Sequence, residues 1–184
     1  MATEPEHRRF TVNDYRHMAE TGILTEDDSV ELIDGEIVEM TPVGGRHLVC
    51  VSRLTHLLVQ YLGSDAIASI QSPVRLGEYQ EPEPDAAVIR ARDYGDDLPT
   101  PGDVLLLIEV SDTSLAYDRG RKLPLYASAG IPESWLVDIP GDAIERHTNP
   151  AGGRYSVTLR VGRGEEIEST VLPGLVIAAD EVLG

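Results

Sequence analysis

The chain has 184 residues, 41% of them hydrophobic, one cysteine, and a net charge of −17 from 15 basic and 32 acidic residues. That length suits one domain spanning residues 1–184, and the composition excludes wholesale disorder. A lone Cys50 excludes an internal disulfide and a cysteine-rich zinc site, and its apolar helical setting suggests a buried free thiol.

The opening MATEPEHRRF lacks the apolar run of a signal peptide, so residues 1–10 read as a flexible N-terminus. No stretch approaches the ~20 apolar residues of a membrane helix, so no membrane association is expected and the location should be cytoplasmic. Basic residues cluster only at Arg8–Arg9 and at Arg119, Arg121 and Lys122. Nucleic-acid binders draw affinity from basic patches, so any such partner should be held weakly or in one local groove.

Thr11 precedes VNDYRHMAE and can cap a short helix ending near Gly22. In VELIDGEIVEM, Asp34-Gly35 lies between two β-type runs. This predicts a hairpin, because a type I′ turn needs positive φ at both central residues. HLVCVSRLTHLLVQYL repeats Val51, Leu54, Leu58 and Tyr61 at helical spacing. Strands are expected near Ala66–Gln71, Val74–Leu76 and Asp85–Arg90.

VLLLIEV, residues 104–110, is a continuous apolar run of strand length, as in a central strand covered on both faces. LPLYASAG reads as a helix closing on Gly130. SWLVDI is a strand with Trp135, Val137 and Ile139 on one face. DAIERHT and RYSVTLRVG read as antiparallel strands, and LPGLVIAADEVLG as a last strand and short helix. The order predicts an α/β chain with helices on a mixed sheet.

Glu109 interrupts the most apolar strand. A buried carboxylate is costly unless it is paired, hydrogen-bonded or bound to a metal; the blander alternative is a strand-end residue reaching solvent. Asp85 opens the preceding strand, and carboxylates on neighbouring strands can converge on one divalent cation such as Mg²⁺. Pro82 and Pro84 keep the approach extended, with Glu81 and Glu83 read as loop charges.

Alternation puts Ser111 on the face of Glu109. Ser111 brings no cation to a reacting phosphate, so the nearest candidate is Lys122, by itself more often a solvated helix residue. His47 lies on the inward side of its helix, as a hydrogen-bonded core residue or a metal or phosphate contact. Glu31 beside the hairpin is a further carboxylate candidate. No dinucleotide, Walker, zincin or serine-hydrolase motif is present.

ELIDGEIVEM, the Pro84–Asp85 pair, IEVSDTSLAYDRGRKLPLYASAGIPESWLVD and the closing LPGL resemble the Uma-two family of the restriction-endonuclease-like, or PD-(D/E)xK, superfamily. The resemblance runs from about Thr11 to Val182. It implies a restriction-endonuclease-like core, a mixed four-stranded sheet flanked by helices, with additional antiparallel strands. It implies Asp85 and Glu109 as catalytic metal ligands for Mg²⁺ or Mn²⁺, with the Val110 carbonyl as a third ligand. The signature lysine belongs where Ser111 stands, so the resemblance points to Lys122 within DRGRK as its migrated counterpart. Glu31 and His47 match recurrent family positions. Ser134 departs from the family, where an aromatic is common, and extra acidic residues precede the Pro-Asp.

The function implied is a metal-dependent endonuclease hydrolysing phosphodiester bonds in nucleic acid, DNA above all. A catalytically silent nucleic-acid-binding or protein-interaction module of the same fold is the alternative, and a smaller phosphodiester substrate is a third reading. Cleavage of both duplex strands often uses two sites, which adds a homodimer to the expectations.

Overall fold

The computed structural model describes residues 8–25, 27–40 and 42–184. Residues 1–7 of the expected flexible N-terminus lie outside the described residues. Within the rest of it, Phe10 donates its N–H to the Gly35 carbonyl at 2.9 Å, and Arg9 donates to that of Asp34 at 2.7 Å.

Helix α1 (Val12–Glu20) begins at Thr11, whose hydroxyl and backbone form a reciprocal capping box with Asp14. Strands β1 (Val30–Ile33) and β2 (Glu36–Glu39) form the expected hairpin. Asp34 and Gly35 take φ of 53° and 76°, as a type I′ turn requires. Only glycine fits the second position, since a Cβ on Gly35 would lie 2.6 Å from the Arg9 Cβ.

Helix α2 (Gly45–Tyr61) buries Cys50, Val51, Leu54 and Leu58 along one stripe. The main sheet follows: β3 (Ala66–Ile70), β4 (Ala86–Arg90), β5 (Val104–Ser111), β6 (Glu133–Asp138), β7 (Ala143–Ala151) and β8 (Arg154–Gly162), side by side in that order. Only the β5–β6 pair is parallel. A parallel pair needs a crossover, and a helical segment supplies it. Its parts are α3 (Leu115–Tyr117), a π-helical turn (Asp118–Lys122) and α4 (Leu123–Ser128). Strands β9 (Glu166–Glu168) and β10 (Val176–Ala178) pair separately, and α5 (Ala179–Leu183) closes the chain.

The expected strand at Val74–Leu76 does not form. Val74 and Leu76 instead donate to the carbonyls of Pro82 and Gln80, closing a local loop that leaves the sheet edge to β3. Pro82 and Pro84 lack the N–H groups that a strand pairing there would need.

Both faces of β5 are covered. Leu106, Ile108 and Val110 pack with Trp135, Val137 and the buried stripe of α2. Val104 and Leu107 pack with Leu125, Tyr126 and Ile131 on the other face. Each such side chain contributes roughly 1.5–3 kcal/mol, so β5 is among the most firmly held backbone in the molecule. Among the described residues, no helix is long and apolar enough to cross a membrane.

Candidate active site

Glu109 stands two residues beyond Leu107 on the face that looks toward the crossover helix. The residue is 3% exposed, so it does not reach solvent at the strand end. Asp85 precedes β4, next to Ala86, which pairs with Ile108 of β5. The Val110 N–H donates to Asp85 Oδ2 at 2.8 Å, and His47 Nε2 lies 3.0 Å from Oδ1. The apolar pairing of β4 with β5 thus brings Asp85 beside Glu109, and α2 sets His47 on the other oxygen.

Lys122 is 5% exposed and not a solvated helix residue. Its Nζ lies 3.1 Å from Glu31 Oε2 and 3.3 Å from Glu109 Oε1. Local sequence explains this placement. Pro124 has no N–H to give the Gly120 carbonyl four residues back, and the helix widens just before it. Leu123 bonds instead to Asp118, five residues back. The widened turn lies against the sheet with Lys122 and Asp118 both buried. Arg119 fastens it to the sheet, 2.9 Å from Glu145 and 3.5 Å from Asp138.

Ser111 is fully buried and donates its hydroxyl to Asp118 Oδ2 at 2.7 Å. Ser111 is therefore a small group that supports the turn carrying Lys122. Glu31 also accepts the backbone N–H of Glu83 at 3.2 Å, which joins the hairpin to the segment leading into β4.

Four site residues were not singled out from the sequence. Tyr126 is fully buried and donates its hydroxyl to Glu109. Its signal was the four-residue spacing from Lys122, which puts both on one helical face. Asp118 accepts from Ser111 and from Ser114. Glu83, read as a loop charge, lines the cavity, as does Tyr117. Glu81 does not enter the cavity; it is buried at the hairpin, 3.4 Å from Arg16.

A cavity of about 920 Å³ lies between the β1–β2 hairpin, the start of α2 and the crossover helix. Its acidic lining includes Glu31, Glu83, Asp85, Glu109 and Asp118, against Lys122 and His47. Burial pushes the Glu109 carboxyl well above the usual range, more than the Lys122 ammonium can offset, and Asp85 adds to the rise. Burial and Glu31 likewise raise Glu83. Burial would depress Lys122, but Glu109, Glu31 and Asp118 outweigh it and keep the ammonium charged. The Asp85 hydrogen bond raises His47 above its ordinary value against the opposing effect of burial. The Tyr117 hydroxyl and His47 Nδ1 are buried without partners. Burial and the Glu31 charge push Tyr117 up to about 12.

Among the described residues, no three acidic or imidazole groups are gathered closely enough to enclose a metal ion as they stand. A Mg²⁺-type ion needs no such cage, since it binds through one or two carboxylates and keeps several waters. Asp85 just before β4 and Glu109 on β5, both hard oxygen donors, fit that description. Each Asp85 oxygen has a second lone pair beyond the bond it already accepts.

The mixed sheet thus carries a buried Glu109, a half-buried Asp85 beside it and a buried lysine from the crossover helix. The chain belongs to the Uma2 family: that family's model, described as "putative restriction endonuclease", matches residues 12–180. No curated protein matches the sequence. Among solved structures, a "putative nuclease belonging to DUF820" from Anabaena variabilis ATCC 29413 is similar in fold. It shares 13% identity at a TM-score of 0.75, over 95% of this chain and 97% of that one.

Proposed function

We propose that this chain is a Mg²⁺- or Mn²⁺-dependent phosphodiesterase acting on nucleic acid, with DNA as the leading substrate. The observation that carries this reading is the surplus of buried carboxylate around one ammonium. Glu109 and Asp85 face a cavity whose acidic groups outnumber Lys122 and His47. Such a surplus is costly in the absence of a cation.

Asp85 and Glu109 would hold the ion, with the Val110 carbonyl as a third candidate. In a strand, N–H and C=O of one residue face the same neighbour, and the Val110 N–H already faces Asp85. When bound, the ion supplies a water of lowered pKa and polarises the phosphoryl oxygen.

The chain's own groups do the rest. Tyr126 and Lys122 fix the Glu109 carboxylate, and Val110 and His47 fix that of Asp85. Lys122, bridging Glu31 and Glu109, lies within reach of a phosphate entering between them and would stabilise its developing charge. Water adds across one P–O bond, leaving a phosphate on one strand end and a hydroxyl on the other.

The test is calorimetric titration with Mn²⁺, alongside cleavage assays in Mg²⁺, Mn²⁺ and EDTA. The parent should bind one ion per site and cleave only with metal. Unaltered Mn²⁺ binding by both Asp85→Asn and Glu109→Gln would overturn the assignment. The silent-module reading draws on one observation, that Lys122 is already engaged by two carboxylates. Metal binding with no cleavage of any nucleic acid would favour it.

A further inference from the structure

The rim of the cavity offers little to the two phosphate rows of a duplex. On the elements that build the site, Arg46 lies 3.8 Å from Asp112 and donates to the Ile139 carbonyl. Arg121 lies 2.6 Å from Glu36 and 3.6 Å from Asp34. Arg119 is taken by Glu145 and Asp138, and Lys122 by Glu31 and Glu109. Each of these cations is already neutralised by a carboxylate. Glu39 and Asp112 add further negative charge to the lining. Duplex affinity rests on neutralising many phosphates, and this surface has few free charges for it.

The cavity itself is of another kind. About 920 Å³ lies within the range of pockets that enclose a compact organic group, roughly 300–1,000 Å³. One wall is apolar, formed by Val38, Met40, Pro42 and Val43, and Tyr117 also lines the space. Val43 is 56% exposed, an apolar side chain left open at the mouth. The Tyr117 hydroxyl and His47 Nδ1 stand buried in the wall without hydrogen-bond partners. An apolar wall with an aromatic and a few polar groups suits a nucleobase out of its stack.

We propose, resting on the nuclease reading above, that the substrate is a single strand. One unstacked nucleotide enters the cavity, its base against Met40, Val43 and Tyr117, its phosphate toward Glu109 and Lys122. A duplex is cut only where it is frayed or unpaired.

The experiment compares a labelled single-stranded DNA of mixed sequence with its fully paired duplex, in Mn²⁺, using the parent, Val43→Asp and Glu109→Gln. Cleavage of the single strand should exceed that of the duplex at least tenfold. Val43→Asp, at an exposed position, should cut single-strand cleavage about tenfold or more while the Mn²⁺-induced rise in melting temperature is retained. Equal or faster duplex cleavage, or full single-strand activity in Val43→Asp, overturns the single-strand proposal and leaves the nuclease reading intact. Cleavage of neither substrate, or cleavage undiminished in Glu109→Gln, overturns the nuclease reading and this proposal with it.

Discussion

The Lys122 ammonium lies 3.1 Å from the Glu31 carboxylate, which joins the crossover helix to a hairpin that belongs to a different sheet. The same ammonium lies 3.3 Å from Glu109 on the central strand. Lys122 is therefore both the candidate catalytic cation and the counter-charge that makes the buried carboxylates tolerable.

Lys122→Met keeps the apolar stem and removes the charge. Breaking a buried pair by deleting one partner typically costs about 3–5 kcal/mol, because the other charge stays behind. The expected outcome is a large fall in melting temperature in EDTA, a larger Mn²⁺-induced recovery than in the parent, and loss of most turnover. Full cleavage activity in the variant would shift suspicion to Arg119 or Arg121. Thermal melts with and without Mn²⁺, paired with cleavage assays, measure all three.

Glu109→Gln should act in the opposite sense on the metal-free protein. The Glu109 pKa is raised, so its favourable contribution is complete below the ordinary carboxylate value and is lost as pH rises through the raised one. Above that raised value the ionised group is a net cost, while Lys122 keeps Glu31. The variant should melt higher than the parent in EDTA at pH 8, by roughly 2–4 °C per kcal/mol relieved, and should lose its response to Mn²⁺. A lower melting temperature at every pH would show that the Glu109–Lys122 pair is net stabilising.

Tyr126→Phe removes only the hydroxyl that Glu109 accepts. The ring stays in the core, so the fold should persist at a cost of about 1–3 kcal/mol for the acceptor left short of a donor. Cleavage should fall through kcat, with substrate KM little changed, because the carboxylate loses its orientation. A change confined to KM would place Tyr126 in substrate binding instead.

His47 gives a pH signature. Its raised pKa means that the His47–Asp85 pairing contributes fully below the ordinary histidine value of 6.5, and the contribution fades as pH rises through the folded-state value. Urea unfolding across pH 6 to 9 should show parent stability declining relative to His47→Gln as pH rises. Parallel curves for the two proteins would place the His47 pairing outside the stability of the fold.

Much of the fold was legible because periodicity and turn chemistry are local. The Asp34-Gly35 turn, the α2 stripe and the doubly covered β5 run each follow from side-chain spacing or from a φ that few residues tolerate. The Val74–Leu76 segment has the residues of a strand but forms none, because β-type residues alone do not reveal whether a neighbouring strand is available to pair.

Glu109 could be singled out from sequence because a carboxylate among aliphatic residues is an electrostatic anomaly wherever the strand lies. What the sequence left open was what would surround it. Lys122, Tyr126, Asp118 and Glu31 are ordinary residues in their own segments, and each has a bland reading there. They become a site only when β5 pairs with β6, the crossover helix folds back over the sheet and widens before Pro124, and the hairpin closes against it. Composition and spacing fix which side chains are inward; charge pairing across segments depends on distances of about 3 Å between residues far apart in the chain, and only the tertiary structure sets those.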